Sequence, residues 1–271
     1  MLTTIIITKN EEKNIARAIQ SASFSDDIIV VDAQSTDQTA TIARRLGARV
    51  ISRPWSGYGV QKNFGAEQAQ TTWLLYLDAD EEIPPALANE IKTVTNQPTV
   101  DFYWLKITTV FLNKPLTHLG GHNLRLFKKS AGRWNQSHVH EQVQRYPDHA
   151  LSNDFKLVRL DDSFSRLLQH SLLHHSHPNL ASYLTKMHHY TSLDAKQITI
   201  TQRHRSGRSI RPVWWLPYHL AFRQLVKLLI YRRGLLDGWP GIVWCILSSY
   251  YEWEMGQKYL AQTNISSSKA N

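Results

Sequence analysis

The sequence predicts an α/β protein: a mostly parallel sheet flanked by helices, followed by C-terminal amphipathic helices. Three observations predict it. Short apolar, often β-branched runs alternate with helix-spaced segments over the first hundred residues, the order of a parallel sheet with helical crossovers. The polar clusters TKNEE, DAQSTD and DADEE follow three of those runs, at the strand ends where open α/β sheets bind ligands. Beyond residue 200, arginine, tryptophan and leucine share long helix-spaced segments.

Taken in order, LTTIII (2–7) is a buried-strand pattern. Asn10 reads as the N-cap of a helix bearing Ile15, Ala18 and Ile19, with Glu11 and Glu12 in its first turn favouring the helix dipole. IIVVDA (28–33) is a second strand, and QSTDQT leads to a helix with Ala40, Ala43 and Leu46, closed by Gly47 as its C′ residue. ARVIS (48–52) is a third strand, VQKNFGAEQAQ (60–70) a helix and WLLYLDA (73–79) a fourth strand. Pro84 and Pro85 open the next helix. FYWLKITTVFLN is strand-like, and GGHNLRLFKKSAGRW reads as a loop, a short strand and a turn. Residues 164–195 read as a His-rich helix. The segment 201–212 reads as a mobile basic loop, and Val213–Ala261 as two helices broken around GLLDGWPG (234–241). The stretch from Thr263 to Asn271 reads as a disordered tail.

Composition narrows the function classes. A chain of 271 residues can bury a sizeable core, and 42% hydrophobic content is ordinary for a globular protein. The single cysteine, Cys245, excludes an internal disulfide and a Cys-rich zinc site, and it favours a reducing compartment. MLTTIIITKNEEKN has no basic n-region and only a short apolar run, so neither a secretory signal nor an anchor is expected. No run of eighteen apolar residues predicts a transmembrane helix. The net charge of +9 is concentrated: residues 201–235 hold eight Lys/Arg and no Asp or Glu. The segment could serve a nucleic acid, but Trp214, Trp215, Tyr218 and Phe222 interleave its basic residues, and an anionic membrane surface suits that mixture at least as well.

The acid cluster directs the chemistry. Asp78 and Asp80 are two residues apart at a strand end, and residues i and i+2 of a strand face the same side. Paired carboxylates suit Mg²⁺ or Mn²⁺, which take further oxygens from substrate phosphates. On this reading Glu81 and Glu82 serve the turn and the next helix start; the alternative is a solvated acidic turn in which they cap that helix. No GxGxxG fingerprint follows the first strand, and no GxxxxGK[ST] loop is present. Phosphates would therefore be neutralised by a metal and scattered basic side chains.

In order, TTIIITKNEEKNI, VVDAQSTDQT, QKNFGAEQA and WLLYLDADEEI resemble the motifs of the inverting, GT-A-fold family 2 glycosyltransferases. Further on, GGHNLRLFKKSAGRW, VHEQV, HHSHPNLASYLTKMHHYTSLDA and GWPGIVWCILSSYYEWEMGQKYL are similar to a branch containing bacterial lipopolysaccharide inner-core β-1,4-glucosyltransferases. The resemblance implies a GT-A domain over 1–200, with a nucleotide-sugar half (about 1–100) and an acceptor half (about 101–200). Over 201–262, Arg223, Lys227, Arg232 and Arg233 accompany Leu220, Leu225, Leu228 and Leu229, which reads as a basic loop and membrane-associating amphipathic helices, with a core helix bearing a basic outer face as the alternative. It implies that Thr8, Asn10 and Glu11 line the nucleoside pocket, Asp32 accepts from uracil, and Lys62 lies near the phosphates. Asp78 would lie near ribose and metal, and Asp80 would be the principal metal ligand. Turn formation is the alternative for Asp32, and helix capping for Asn10 and Glu11.

Glu141 matches the family's His-Glu position and follows a strand pattern, which makes it the candidate general base; a surface ion pair is the alternative. His138 and His140 alternate along that strand, and one would orient Glu141. His174, His175 and His177 are candidates for the diphosphate or metal, Arg125 for the acceptor or a salt bridge, and Arg203, Arg205, Arg208 and Arg211 for phosphates. The implied partners are a UDP-sugar, with Mg²⁺ or Mn²⁺, and a lipid-linked glycan. The protein would lie peripherally on the cytoplasmic face of an anionic inner membrane. Polyprenyl phosphate as acceptor, or nucleic-acid binding through 201–235, are the rival readings.

Overall fold

The computed structural model describes residues 1–136, 141–147, 155–177 and 180–268. The first half alternates as expected: β1 (Leu2–Thr8), α1 (Ile15–Ser21), β2 (Asp27–Asp32), α2 (Thr39–Arg45), β3 (Arg49–Ser52), α3 (Tyr58–Gln68), β4 (Trp73–Asp78), β5 (Glu81–Glu82) and α4 (Pro85–Asn96). There follow β6 (Phe102–Phe111), β7 (Lys114–Lys128), β8 (Gly132–Trp134), β9 (Val143–Arg145), β10 (Lys156–Leu157) and β11 (Ser165–His177). Three helices complete the described chain: α5 (Leu180–Thr201), α6 (Leu216–Val226) and α7 (Gly238–Ser268).

The main sheet has the order β3-β2-β1-β4-β7-β6-β11-β5. Its first four strands are parallel, whereas β4 meets β7 and β11 meets β5 antiparallel. Strands β8, β9 and β10 form a small antiparallel sheet. All seven residues of β1 are buried, because helices cover both faces of the parallel part. Ile6, Val30 and Leu75 meet α1, α2 and α4 on one face, and Ile5, Ile7, Val31 and Tyr76 pack near α3 and Trp134 on the other. Gly65 lets α3 close on the sheet: a Cβ there would lie 2.5 Å from Ile5 Cγ2. Gly47 ends α2 at φ +85° as the C′ residue.

The chain divides into two compact units, Met1–Thr108 with Gly121–His175, and Thr109–Gly120 with Ser176–Asn271. The second has its own core, in which Ala195 and Ile198 of α5 meet Leu216 and Leu220 of α6 and Met255 and Tyr259 of α7.

Several elements differ from expectation. Asn10 has a left-handed backbone (φ 55°) and does not cap α1, which begins five residues later behind Asn14. GGHN lies inside the long strand β7. The stretch expected as one helix from 164 is strand β11 as far as His177, with α5 beginning only at Leu180. Buried Leu168 and Leu172 are four apart, a spacing that fits a helical repeat and a strand repeat equally. The 201–212 segment is tied back as a turn by an Arg203–Ser209 bridge. The break between α6 and α7 falls at a π-turn (Lys227–Tyr231) and a 3₁₀ turn (Gly234–Asp237). Helix α7 continues to Ser268, into the stretch expected as a tail.

Candidate active site

Parallel pairing brings the three strand-end clusters side by side. Thr8 is in register with Asp32 and Asp32 with Ser52, while Ile7 is in register with Asp78. The carboxyl ends of β2, β1 and β4 therefore present Asp32, Thr8 and Asp78 in a row.

The first two loops are stitched together. Asn10 donates its backbone N–H to Ser35 Oγ (2.8 Å), and its side-chain oxygen accepts from the Thr36 N–H (2.8 Å). The Glu11 N–H donates to Thr39 Oγ1 (2.7 Å), and the Glu11 carboxylate accepts from the Asn14 side chain (2.8 Å). Asp32 is buried, and Ser35 donates to both of its oxygens, Oγ–H at 2.5 Å and N–H at 3.1 Å. This is the turn-forming arrangement. The Thr8 hydroxyl is buried at the strand end with no hydrogen-bond partner.

The acids of LDADEE divide by their partners. Asp78, Asp80, Glu81 and Glu82 do not lie on one continuous strand, because β4 ends at Asp78 and β5 begins at Glu81. Arg125, buried on β7, donates from Nη2 to Asp78 Oδ2 (2.6 Å) and to Glu81 Oε1 (2.7 Å). Lys62 Nζ lies 3.9 Å from Asp78 Oδ1. Burial opposes ionisation of Asp78, yet Arg125 and Lys62 hold its carboxyl well below the usual carboxylate range. Glu81 is 1% exposed, and burial pushes it up to about 7 against the attraction of Arg125. Glu81 also accepts the Asp78 N–H (2.8 Å). Its expected role at the next helix start is thus corrected: it is a buried counter-charge to Arg125, and α4 has no side-chain cap. Glu82 pairs instead with His175 Nε2 (2.9 Å) and faces Arg17 at 3.8 Å.

Strand β11 supplies the histidines. In the β11–β5 pairing His174 is in register with Glu81, which puts His174 Nε2 3.4 Å from Asp80 Oδ2. Burial disfavours the charged imidazole, but the hydrogen bond and charge of Asp80 raise the His174 pKa above its ordinary value. His175 donates its backbone N–H to the Asp80 carbonyl (2.8 Å), and burial and Arg17 lower its pKa.

Glu141 meets Lys62: Nζ donates to Glu141 Oε1 at 2.6 Å and lies 4.3 Å above the Trp134 ring. Asn63, next to Lys62, exchanges side-chain hydrogen bonds with the Trp134 backbone, which fixes α3 on β8. His138 and His140 lie outside the described residues, as does the side chain of His177.

Unit 1 thus brings together Lys62, Asp78, Arg125 and Glu141, joined by ion pairs, and Asp80 with His174. Arg205 and Arg208 belong to the other unit, where Arg205 donates to Glu252 (2.5 Å) and Arg208 is exposed. Sequence reasoning missed the role of Trp134 under Lys62 and the burial of Glu81. A cavity of about 480 Å³ lies elsewhere on α3, lined by Arg53, Phe64, Lys129, Arg133 and Tyr146, and contains none of the acids above.

A divalent ion can be tested against these donors. Among the described residues no three His, Cys, Asp or Glu side chains converge as a metal site. Asp80 and His174 offer one carboxylate and one imidazole, while the Asp78 oxygens face Arg125 and Lys62. That set fits an ion shared with substrate phosphates, the usual habit of Mg²⁺, and does not make an all-protein cage.

Residues 3–147 match the family model described as Glycosyl transferase family 2. An uncharacterised glycosyltransferase of Rickettsia typhi is 30% identical over 261 residues, 92% of this chain and 83% of the relative. The lipopolysaccharide core biosynthesis glycosyltransferase LpsC of Rhizobium meliloti is 30% identical over 152 residues, 52% of this chain and 56% of LpsC. Among solved structures, mannosyl-3-phosphoglycerate synthase from Rubrobacter xylanophilus aligns over 50% of this chain and 56% of that chain, at 19% identity and a TM-score of 0.38. Glucosyl-3-phosphoglycerate synthase from Mycobacterium tuberculosis, in complex with Mn²⁺, UDP and glucosyl-3-phosphoglycerate, aligns over 40% and 44%, at 23% identity and a TM-score of 0.34.

Proposed function

The chain belongs to glycosyltransferase family 2, and on that premise we propose that it is a metal-dependent, inverting hexosyltransferase. The donor is a UDP-sugar, UDP-glucose first, and the acceptor is a lipid-linked glycan, an inner-core heptose of lipopolysaccharide. The observation that carries this reading is the row of Asp32, Thr8 and Asp78 at the parallel strand ends. The name of LpsC supports the acceptor class.

In this reading the unpartnered Thr8 hydroxyl and the stitched Asn10 and Glu11 loop receive the nucleoside, and the remaining lone pairs of Asp32 accept from the base. Asp80 and His174 would hold Mg²⁺ or Mn²⁺, which would supply charge stabilisation for the leaving diphosphate. Arg125 and Lys62 keep the Asp78 carboxylate ionised, and Arg125, with Glu81 on the Asp78 N–H, holds it in place. Glu141 accepts the proton of the acceptor hydroxyl as its oxygen bonds to the sugar C1 and the bond from C1 to the diphosphate oxygen breaks. The Lys62 ammonium donates to Glu141 Oε1 at 2.6 Å, and an arriving diphosphate would compete for that ammonium.

The test is a screen of UDP- and GDP-sugars with Mn²⁺, read by released nucleotide, with truncated lipopolysaccharide and polyprenyl phosphate as acceptors. Release from UDP-glucose that truncated lipopolysaccharide stimulates is the expected result. Stimulation by polyprenyl phosphate alone, or turnover of GDP-sugars only, overturns the acceptor or the donor assignment respectively.

A further inference from the structure

The second unit exposes an apolar face. On α6 the exposed large apolar side chains are Tyr218 and Phe222, the latter 69% exposed, with Trp215 at the N-cap. On α7 they are Trp239 (62% exposed), Ile242, Ile246 and Tyr250. Each set follows a helical stripe. The residues that fill the unit's core, Leu216 and Leu220 on α6 and Trp244, Leu247, Tyr251 and Met255 on α7, lie on other sides of the same helices.

The two helices pack side by side, with Ser249 Oγ donating to the Ala221 carbonyl (2.7 Å) and Gly256 seated against Pro217. This contact orients the stripes. Going round α6, the core side, the α7 contact and the aromatic stripe follow one another at roughly 100° intervals. Going round α7, the order is core side, α6 contact and apolar stripe. For antiparallel neighbours that places both stripes on the same side of the pair, opposite the core. The turns between the helices add Tyr231, 79% exposed, and Leu235 and Leu236. Soluble monomers rarely expose a continuous apolar face of this size without a partner.

The charges identify the partner. The only acids between 201 and 262 are Asp237, Glu252 and Glu254, and their side chains are just 2%, 3% and 10% exposed. Asp237 is bound to Thr117 and His118, Glu252 to His204 and Arg205, and Glu254 to His188 and Lys258. The charges left exposed in this segment are cationic: Arg211, Lys227 and Arg233 are exposed and Arg223 is partly exposed, with Arg233 in the turn that carries Tyr231, Leu235 and Leu236. A second copy docked on the same face would confront like charge with like.

We propose that the α6–α7 face docks on an anionic phospholipid bilayer, with its aromatic and aliphatic stripes in the headgroup region and its arginines and lysine on the lipid phosphates. Aromatic rings with an apolar body and a polar edge suit that depth. The proposal rests on the glycosyltransferase reading for its purpose, because a lipid-borne acceptor must be met at a membrane. Its physical basis is independent of that reading.

The experiment is flotation of the full chain with vesicles of neutral phosphatidylcholine, and of phosphatidylcholine with phosphatidylglycerol. Release of nucleotide from UDP-glucose without acceptor is measured in parallel. Binding to the anionic vesicles only is expected, weakened by salt, and reduced about five-fold by each of Arg223→Gln and Arg233→Gln. The exposed pair Phe222→Ser/Trp239→Ser should lower it at least about ten-fold, with unchanged circular dichroism and unchanged nucleotide release. No vesicle binding, or equal binding to neutral and anionic vesicles, overturns the proposal. So does a dimer abolished by the serine pair without any vesicle binding. Failed nucleotide release with intact vesicle binding overturns the enzymatic reading and leaves the docking face standing.

Discussion

At the residue scale, LDADEE places four carboxylates within five positions, and the structure gives each of them an ion-pair or hydrogen-bond partner. Arg125 sits between Asp78 and Glu81, Lys62 approaches Asp78, His174 meets Asp80 and His175 meets Glu82. Removing Arg125 strands the buried Glu81 and the partly exposed Asp78, so Arg125→Met should cost roughly 3 kcal/mol of stability by urea unfolding. A loss below about 1 kcal/mol contradicts that role. Asp80→Ala should abolish transfer and the metal dependence of UDP affinity while the fold persists. Glu141→Gln should keep UDP affinity and lose turnover; loss of both makes Glu141 a structural partner of Lys62. The sequence marked Asp78, Asp80 and Glu141, because residue type and motif order are local properties. It could not apportion their counter-charges, which come from α3, β7 and β11.

At the element scale, β11 matters most to the site. Its pairing with β5 sets His174 beside Asp80, and the helical reading of 164–195 hid that neighbour. Leu168 and Leu172 fit both periods, and a strand is selected only because a sheet edge is there to pair with it. The Arg203–Ser209 turn is a second case. Its composition suggested a mobile loop, yet His204 Nε2 (2.9 Å) and Arg205 Nη2 (2.5 Å) both meet the buried Glu252 carboxylate on α7. Burial pushes the Glu252 pKa up, but His204 and Arg205 outweigh it and hold the carboxyl below its ordinary value. The folded chain therefore binds that proton more weakly than the unfolded chain does. The stabilisation is complete above the ordinary glutamate value of about 4.3 and is lost as the pH falls below it. Wild type should lose stability in that acid window, and Glu252→Gln should be less stable at neutral pH with a flatter acid limb in thermal melts. Parallel limbs would show that Glu252 contributes nothing through its charge.

At the scale of the whole molecule, the acid row and the unpartnered Thr8 hydroxyl make ligand binding a folding matter. UDP with Mn²⁺ at a hundred times its Kd should stabilise the native state by about 2.7 kcal/mol, visible as a rise of several degrees in the melting temperature of unit 1. Asp80→Ala should lose the Mn²⁺-dependent part of that rise. A rise that is identical with and without metal contradicts the proposed ion. No described helix is long and apolar enough to cross a membrane.

The sequence by itself determined the alternating α/β order, the parallel first sheet, the glycosyltransferase family and the strand-end acids. These follow from short-range hydrophobic period, turn residues and motif order, all written within a few residues of one another. Only the tertiary structure decided that Glu81 is buried under Arg125, that Lys62 holds Glu141, that His174 meets Asp80, and that every acid of the basic segment is sequestered. Apart from the Glu254–Lys258 pair, each of those contacts joins residues at least 44 positions apart. Their partners are chosen by which strands pair and which helices pack, a choice made by burial across the whole chain.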